Sequence, residues 1–233
     1  MSVNNPFFEI SLLPYQAPRF DAINDSHYRP AFDEAMRLKR ADIDAIIAQR
    51  AAPDFDNTVL ALEKSGAMLS RVSSVFFAMT SAHTNDDLQA LDEQFSTELA
   101  GLANDIWLND TLFARVEAVW QDREALDAES RRLTEEMYQH FVLAGARLNA
   151  DEKAELKALN TEAATLTSQF NQRLLAANKA GGLVVDDVHQ LDGLSAEEVA
   201  AAAHAAAEKG LTDRWLIPLL NTTQQPALAA LSL

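Results

Sequence analysis

The chain has 233 residues, with 35 Asp and Glu against 19 Lys and Arg, for a formal net charge of −16 at pH 7. A surface this negative repels phosphate backbones and anionic bilayers, which argues against nucleic-acid and membrane partners. There is no Cys, hence no disulfide and no thiolate metal site, and 48% hydrophobic residues with only 7 Gly and 7 Pro favour a folded, helix-rich chain.

Residues 1–30 carry Pro6, Pro14, Pro18 and Pro30 among Phe7, Phe8, Tyr15, Phe20 and Tyr28. Proline this dense prevents one continuous helix, so the expectation is an extended segment lying over a helical body and anchored by its aromatics. The first twenty residues lack a basic stretch followed by an unbroken apolar one, so no secretory signal is read and the cytoplasm is the expected location. The longest apolar run, around residues 199–207, is mostly Ala and far too short for a membrane span.

The spacing predicts a helix from Pro30 to about residue 49, with Phe32, Met36, Ile43 and Ile47 as its apolar positions. After Pro53, Asp56-Asn57-Thr58 offer capping side chains. Val59, Leu62, Gly66, Leu69, Val72, Phe76 and Met79 then form one stripe at three- and four-residue steps. Asn85-Asp86 opens a helix bearing Leu88, Leu91, Phe95, Leu99, Leu102 and Ile106, and Asn109-Asp110 a shorter one bearing Leu112, Phe113, Val116, Val119 and Trp120.

Residues 121–131 read as a charged connection, followed by a helix with Leu133, Met137, Phe141 and Ala144. Asn149-Ala150-Asp151 starts the longest helix. Its Leu156, Leu159, Ala163, Leu166, Phe170, Leu174 and Ala177 are in near-heptad spacing, and Gly181-Gly182 stops it. Stripes so narrow are expected to be buried by pairing long antiparallel helices.

Beyond residue 182 the pattern changes. Leu183-Val184-Val185 and Trp215-Leu216-Ile217-Pro218-Leu219-Leu220 read as strands, the second an edge because of Pro218. Between them Ser195 and Glu198 form a capping box before an Ala-rich helix ending at Gly210. The expected fold is mainly α: an extended segment over 1–30, a helical bundle over 31–182, and a small two-stranded β-α-β element over 183–233.

No constellation for catalysis or metal binding emerges. The histidines are His27, His83, His140, His189 and His204. A helical zinc-peptidase site needs two imidazoles one turn apart with a carboxylate beside the first. No His here precedes Glu, and none has a second His four residues on. Glu136 with His140 and His204 with Glu208 share helix faces, but each pair lacks a third ligand and reads as a solvent-facing pair. His83 reads as a loop residue. Asp54, Asp56, Asp86 and Asp87 flank helix starts, where carboxylates complement the helix dipole. No Gly-x-Ser-x-Gly elbow occurs. Val72 to Met79, with Phe76 and Phe77, could line a peptide groove, although core packing is the simpler reading.

Seven stretches nevertheless resemble, in order, one family. They are Asn5-Pro-Phe, His27-Tyr-Arg-Pro-Ala-Phe-Asp, Phe55-Asp-Asn-Thr-Val-Leu-Ala-Leu-Glu, Val75-Phe-Phe-Ala-Met, Phe141-Val-Leu-Ala-Gly-Ala, Leu159-Asn-Thr-Glu-Ala-Ala-Thr-Leu-Thr-Ser-Gln-Phe-Asn-Gln and Trp215-Leu-Ile-Pro-Leu-Leu-Asn-Thr-Thr-Gln-Gln-Pro-Ala-Leu. Together they resemble the N-terminal part of the thimet-oligopeptidase-like zinc metallopeptidases, most closely the bacterial peptidyl-dipeptidases (dipeptidyl carboxypeptidases).

The resemblance implies a two-lobed, mostly helical enzyme around a deep channel, in which zinc cleaves short peptides by removing C-terminal dipeptides. In that family the His-Glu-x-x-His motif, the third ligand and the transition-state Tyr and His lie further along the chain. No catalytic, cofactor-binding or metal residue therefore carries over here. The family also continues past Leu228 into a charged helix, whereas this chain closes with Ala229-Ala-Leu-Ser-Leu. The expectation is the front portion of such an enzyme, inactive alone and completed by the missing catalytic lobe. The alternatives are a free-standing helical interaction module or one half of a split peptidase.

Overall fold

The computed structural model describes residues 5–231; Met1–Asn4 and the closing Ser232-Leu233 lie outside the described residues. The chain divides into two compact units, Met1–Ser168 and Gln169–Leu233. It is mainly α, with one small two-stranded sheet near the C-terminus, as its helical periodicities predict.

The first unit is built on α1 (Tyr28–Ile47), α2 (Ala61–Lys64), α3 (Ala67–Ala82), α4 (Asp86–Trp107), α5 (Asp110–Gln121) and α6 (Ala128–Leu143). The N-terminal part of α7 (Ala150–Ala180) completes it. Short polar side chains start these helices by accepting otherwise unpaired N–H groups. Asn85 accepts from Leu88 N–H at 2.8 Å and Asn109 from Leu112 N–H at 2.9 Å. Asn149 and Glu152 exchange a reciprocal pair at the start of α7. Asp127 caps α6, which therefore begins at Ala128, inside the stretch expected to be a charged connection.

Three phenylalanines from three helices meet at the centre. Phe32 on α1 stacks on Phe95 of α4 at 3.9 Å between centroids, and Phe76 on α3 meets both edge-on at 5.4 and 5.0 Å. All three are fully buried. Edge-to-face contacts satisfy the ring quadrupoles while removing large apolar areas from water. Arg29 lies over Phe95 at 4.9 Å and is held there by a two-pronged pair to Glu98, both bonds 2.8 Å, and by Asp33. A second aromatic group, Trp107, Phe113, Tyr138 and Phe141, joins α4, α5 and α6.

The stripe from Val59 to Met79 does not belong to one helix. A π-type turn over Phe55–Leu60 leads into α2, and the chain breaks at Ser65-Gly66 before α3. Gly66 takes φ +74°, and a Cβ there would lie 2.6 Å from Lys39. Lys39 on α1 donates to Ser65 O at 3.2 Å and Ser65 Oγ at 2.5 Å, while Gly66 N–H donates to Asp42 at 3.1 Å. Val59 and Leu62 before the break and Val72 and Phe76 after it join the same core.

The N-terminal segment is anchored by fewer aromatics than its composition suggests. Phe7 packs on Tyr28, and Asn5 donates to His27 O at 2.8 Å. Phe8 and Phe20 are exposed, and Tyr15 (φ +58°) projects fully into solvent. Helix α1 starts two residues before Pro30, which occupies the first turn, where its missing N–H costs no helical bond.

In the second unit, β1 (Leu183–Val185) pairs antiparallel with β2 (Trp215–Ile217), Val184 opposite Leu216. The Ala-rich α8 (Ala196–Glu208), capped by the Ser195–Glu198 box, packs against β2. Gly181 and Gly182 do more than stop α7. A Cβ on Gly181 would lie 2.5 Å from Leu219, and one on Gly182 would lie 2.5 Å from Leu216, so both let the chain pass close to β2 and its sequel. A further helix not anticipated from the sequence, α9 (Asn221–Ala230), follows with Pro226 inside it.

Two outcomes follow from this packing. Phe76→Ala, which empties the meeting point of three helices, should destabilise the chain by about 3–5 kcal/mol, read as a lower denaturant midpoint. Burial holds the Lys39 ammonium below its ordinary value of 10.5, with Asp42 and Glu63 opposing in part. The unfolded chain therefore binds this proton more tightly than the folded one. Stability should accordingly rise as pH climbs from the depressed value towards 10.5. That rise should be absent in Lys39→Met, compared by denaturant melts across the window.

Candidate functional site

The histidines are dispersed. His27 is buried, and its Nδ1 accepts from Asn24 N–H at 3.1 Å, which ties the turn ahead of α1. His83 is an exposed residue closing α3. His140 lies against the Trp107 ring at 4.1 Å, and its expected partner Glu136 is paired with Arg132 instead. His189 sits in a one-turn helix whose start is capped by Asp187. His204 and Glu208 do approach each other, at 3.7 Å, on the exposed side of α8.

Among the described residues no three His, Asp or Glu side chains come together in a way that could hold a metal ion. Among the described residues the donors do not fit a zinc site: the His204–Glu208 approach is exposed and lacks a third donor. Among the described residues no helix is long and apolar enough to cross a membrane.

The acidic residues at helix starts have structural work. Asp54 accepts from Asn57 N–H at 2.7 Å, and the Asn57 side chain accepts from Asp54 N–H at 3.1 Å. Asp86 and Asp87 lie in the first turn of α4. In the stripe from Val72 to Met79, Val72, Val75 and Phe76 are buried core, and Phe77 and Met79 pack partly buried against it.

Two features escaped the sequence reading. One is an open cavity of about 840 Å³ between the N-terminal segment and α3, lined by Phe7, Ile10, Leu13, Arg19, Arg71 and Val75 among others. Its walls come from segments distant in sequence, so no local pattern could announce it. The other is Arg115, a buried guanidinium on the apolar face of α5. It donates to Gln49 O at 3.1 Å, Asn57 Oδ1 at 2.8 Å and Thr58 Oγ1 at 3.1 Å. An arginine in register with Leu112 and Val119 was the available signal. Arg115 fastens the loop between α1 and α2, and with it the Asp54–Asn57 capping box.

With this geometry in place, comparison with known proteins is informative. No family model matches the chain. The sequence is similar to oligopeptidases: it is 23% identical over 210 residues to oligopeptidase A of Escherichia coli, covering 89% of this chain and 31% of that protein. Far stronger is the similarity to two bacterial dipeptidyl carboxypeptidases. That of Salmonella typhimurium is 69% identical over 229 residues and that of E. coli 68% over 231, covering 97% and 98% of this chain. The chain spans about a third of the length of these relatives, 34% of each. The resemblance carried by the seven motifs thus extends over nearly the whole chain, and its length fits an N-terminal part of such a protein.

Arg115→Met should leave Gln49 O and the Asn57 side chain without their donor, at a cost of about 1–3 kcal/mol. The local consequence should be faster tryptic cleavage after the exposed Arg50 at a temperature where the rest of the chain stays intact.

Proposed function

We propose that the chain is the front part of a cytoplasmic peptidyl-dipeptidase, an enzyme that releases C-terminal dipeptides from short peptides. In this reading residues 31–182 supply helices of the channel wall. A rigid wall admits extended short peptides and excludes folded proteins, whose backbones are closed in secondary structure. The zinc of such an enzyme would be held by the remaining polypeptide, since among the described residues no side chains assemble a donor set. The observation that carries the reading is identity of 69% to a dipeptidyl carboxypeptidase, sustained over 97% of this chain within 34% of the relative.

A second reading, a free-standing helical interaction module, is favoured by the aromatic core that Met1–Ser168 encloses by itself. A graft separates the two. Replacing the matched third of the E. coli dipeptidyl carboxypeptidase with this chain should give an enzyme that cleaves a blocked tripeptide. Its kcat/KM should stay within about tenfold of the parent, or roughly 1.4 kcal/mol in transition-state stabilisation. The isolated chain should show no hydrolysis, with or without added zinc. A graft that folds but does not cleave the tripeptide would overturn the proposal in favour of the module.

A further inference from the structure

Helix α7 turns the wrong side to its own body. Where it packs in the first unit, Leu156 lies beside Gly145, and the other named contacts are polar. Asn160 donates to Asn104 at 2.7 Å, Thr165 meets Thr97 at 3.3 Å, Ser168 donates to Asp92 at 2.9 Å, and the buried Lys153 pairs with Asp110. Further along, Leu159 and Leu166 in this unit and Phe170 and Leu174 in the second are 54%, 55%, 65% and 49% exposed. At 100° per residue these four and Ala163 fall within an arc of about 80°, opposite Thr165 and Ser168. All five belong to α7 (Ala150–Ala180).

A helix that ends the protein at water carries the reverse pattern, polar outward and apolar inward. A row of leucines with a phenylalanine facing solvent marks a surface meant to be covered. A second copy of the chain is a poor occupant, because two bodies of net charge −16 repel one another. The relatives supply a better one: in them, about two thirds of the length lies outside the part that this chain matches.

We propose that the outward face of α7, from Leu159 to Leu174, is the surface on which the remaining two thirds of a dipeptidyl carboxypeptidase packs. The proposal rests on the front-part reading above and names the helix that makes the junction.

Hydroxyl-radical footprinting tests it on the isolated chain and on the E. coli graft, each with an added reporter peptide as standard. Phe170 is 65% exposed in the chain, so its oxidation should fall about tenfold on becoming a core residue of the graft, with Leu166 following. Phe170→Glu and Leu166→Glu should leave the melting temperature of the isolated chain unchanged and lower that of the graft. Should the graft fail to fold, the same footprint is read on the chain mixed with the remaining two thirds of the E. coli enzyme. Unaltered oxidation of both residues in a graft that cleaves the tripeptide would overturn the junction and leave the functional reading standing. Protection in a graft that folds but does not cleave would do the opposite. A sedimenting dimer of the isolated chain that Phe170→Glu dissociates would assign the stripe to a second copy and overturn the proposal.

Discussion

The contact on which the first unit depends is the meeting of Phe32, Phe76 and Phe95. Each comes from a different helix, and each is fully buried. Because the stacked and edge-on geometries are mutually satisfied, the rings fix the rotation of α1, α3 and α4 about their own axes as well as their separation. Once those rotations are set, Arg29 over Phe95 can reach Glu98, and Lys39 can reach the break at Ser65. The polar contacts follow from the aromatic ones.

Around that centre the molecule uses a buried and a half-buried cation as fasteners. Arg115 collects a carbonyl, an amide and a hydroxyl from the segment between α1 and α2, where no regular helix could satisfy them. A guanidinium suits this task because its donors are fixed in a planar fork and it keeps its charge when buried. Lys39 does similar work at the Gly66 break with a single flexible ammonium. Both residues close helix-to-loop transitions.

The absence of a metal-donor set among the described residues and the outward stripe of α7 are compatible faces of one molecule. A chain that spans about a third of its relatives' length encloses an aromatic core in its first unit and still leaves leucines of α7 exposed. Polar inward contacts on α7 make that division workable. Hydrogen bonds such as Asn160 to Asn104 hold the helix on the body while Leu159 and Leu166 stay exposed.

Much of the fold was legible in the sequence because helix periodicity and capping are local. The stripe Leu88, Phe95, Leu102 and Ile106, the caps Asn85, Asn109 and Asn149, and the Ser195–Glu198 box all act within a few residues of themselves. The lack of a His-Glu-x-x-His pattern was equally plain. Tertiary structure decided what periodicity cannot encode, namely the direction each stripe faces. The leucines of α7 repeat as regularly as those of α4, yet those of α4 are largely buried while Leu159, Leu166 and Leu174 are exposed. A repeat defines a face of a helix; only the neighbours present determine whether that face meets protein or water.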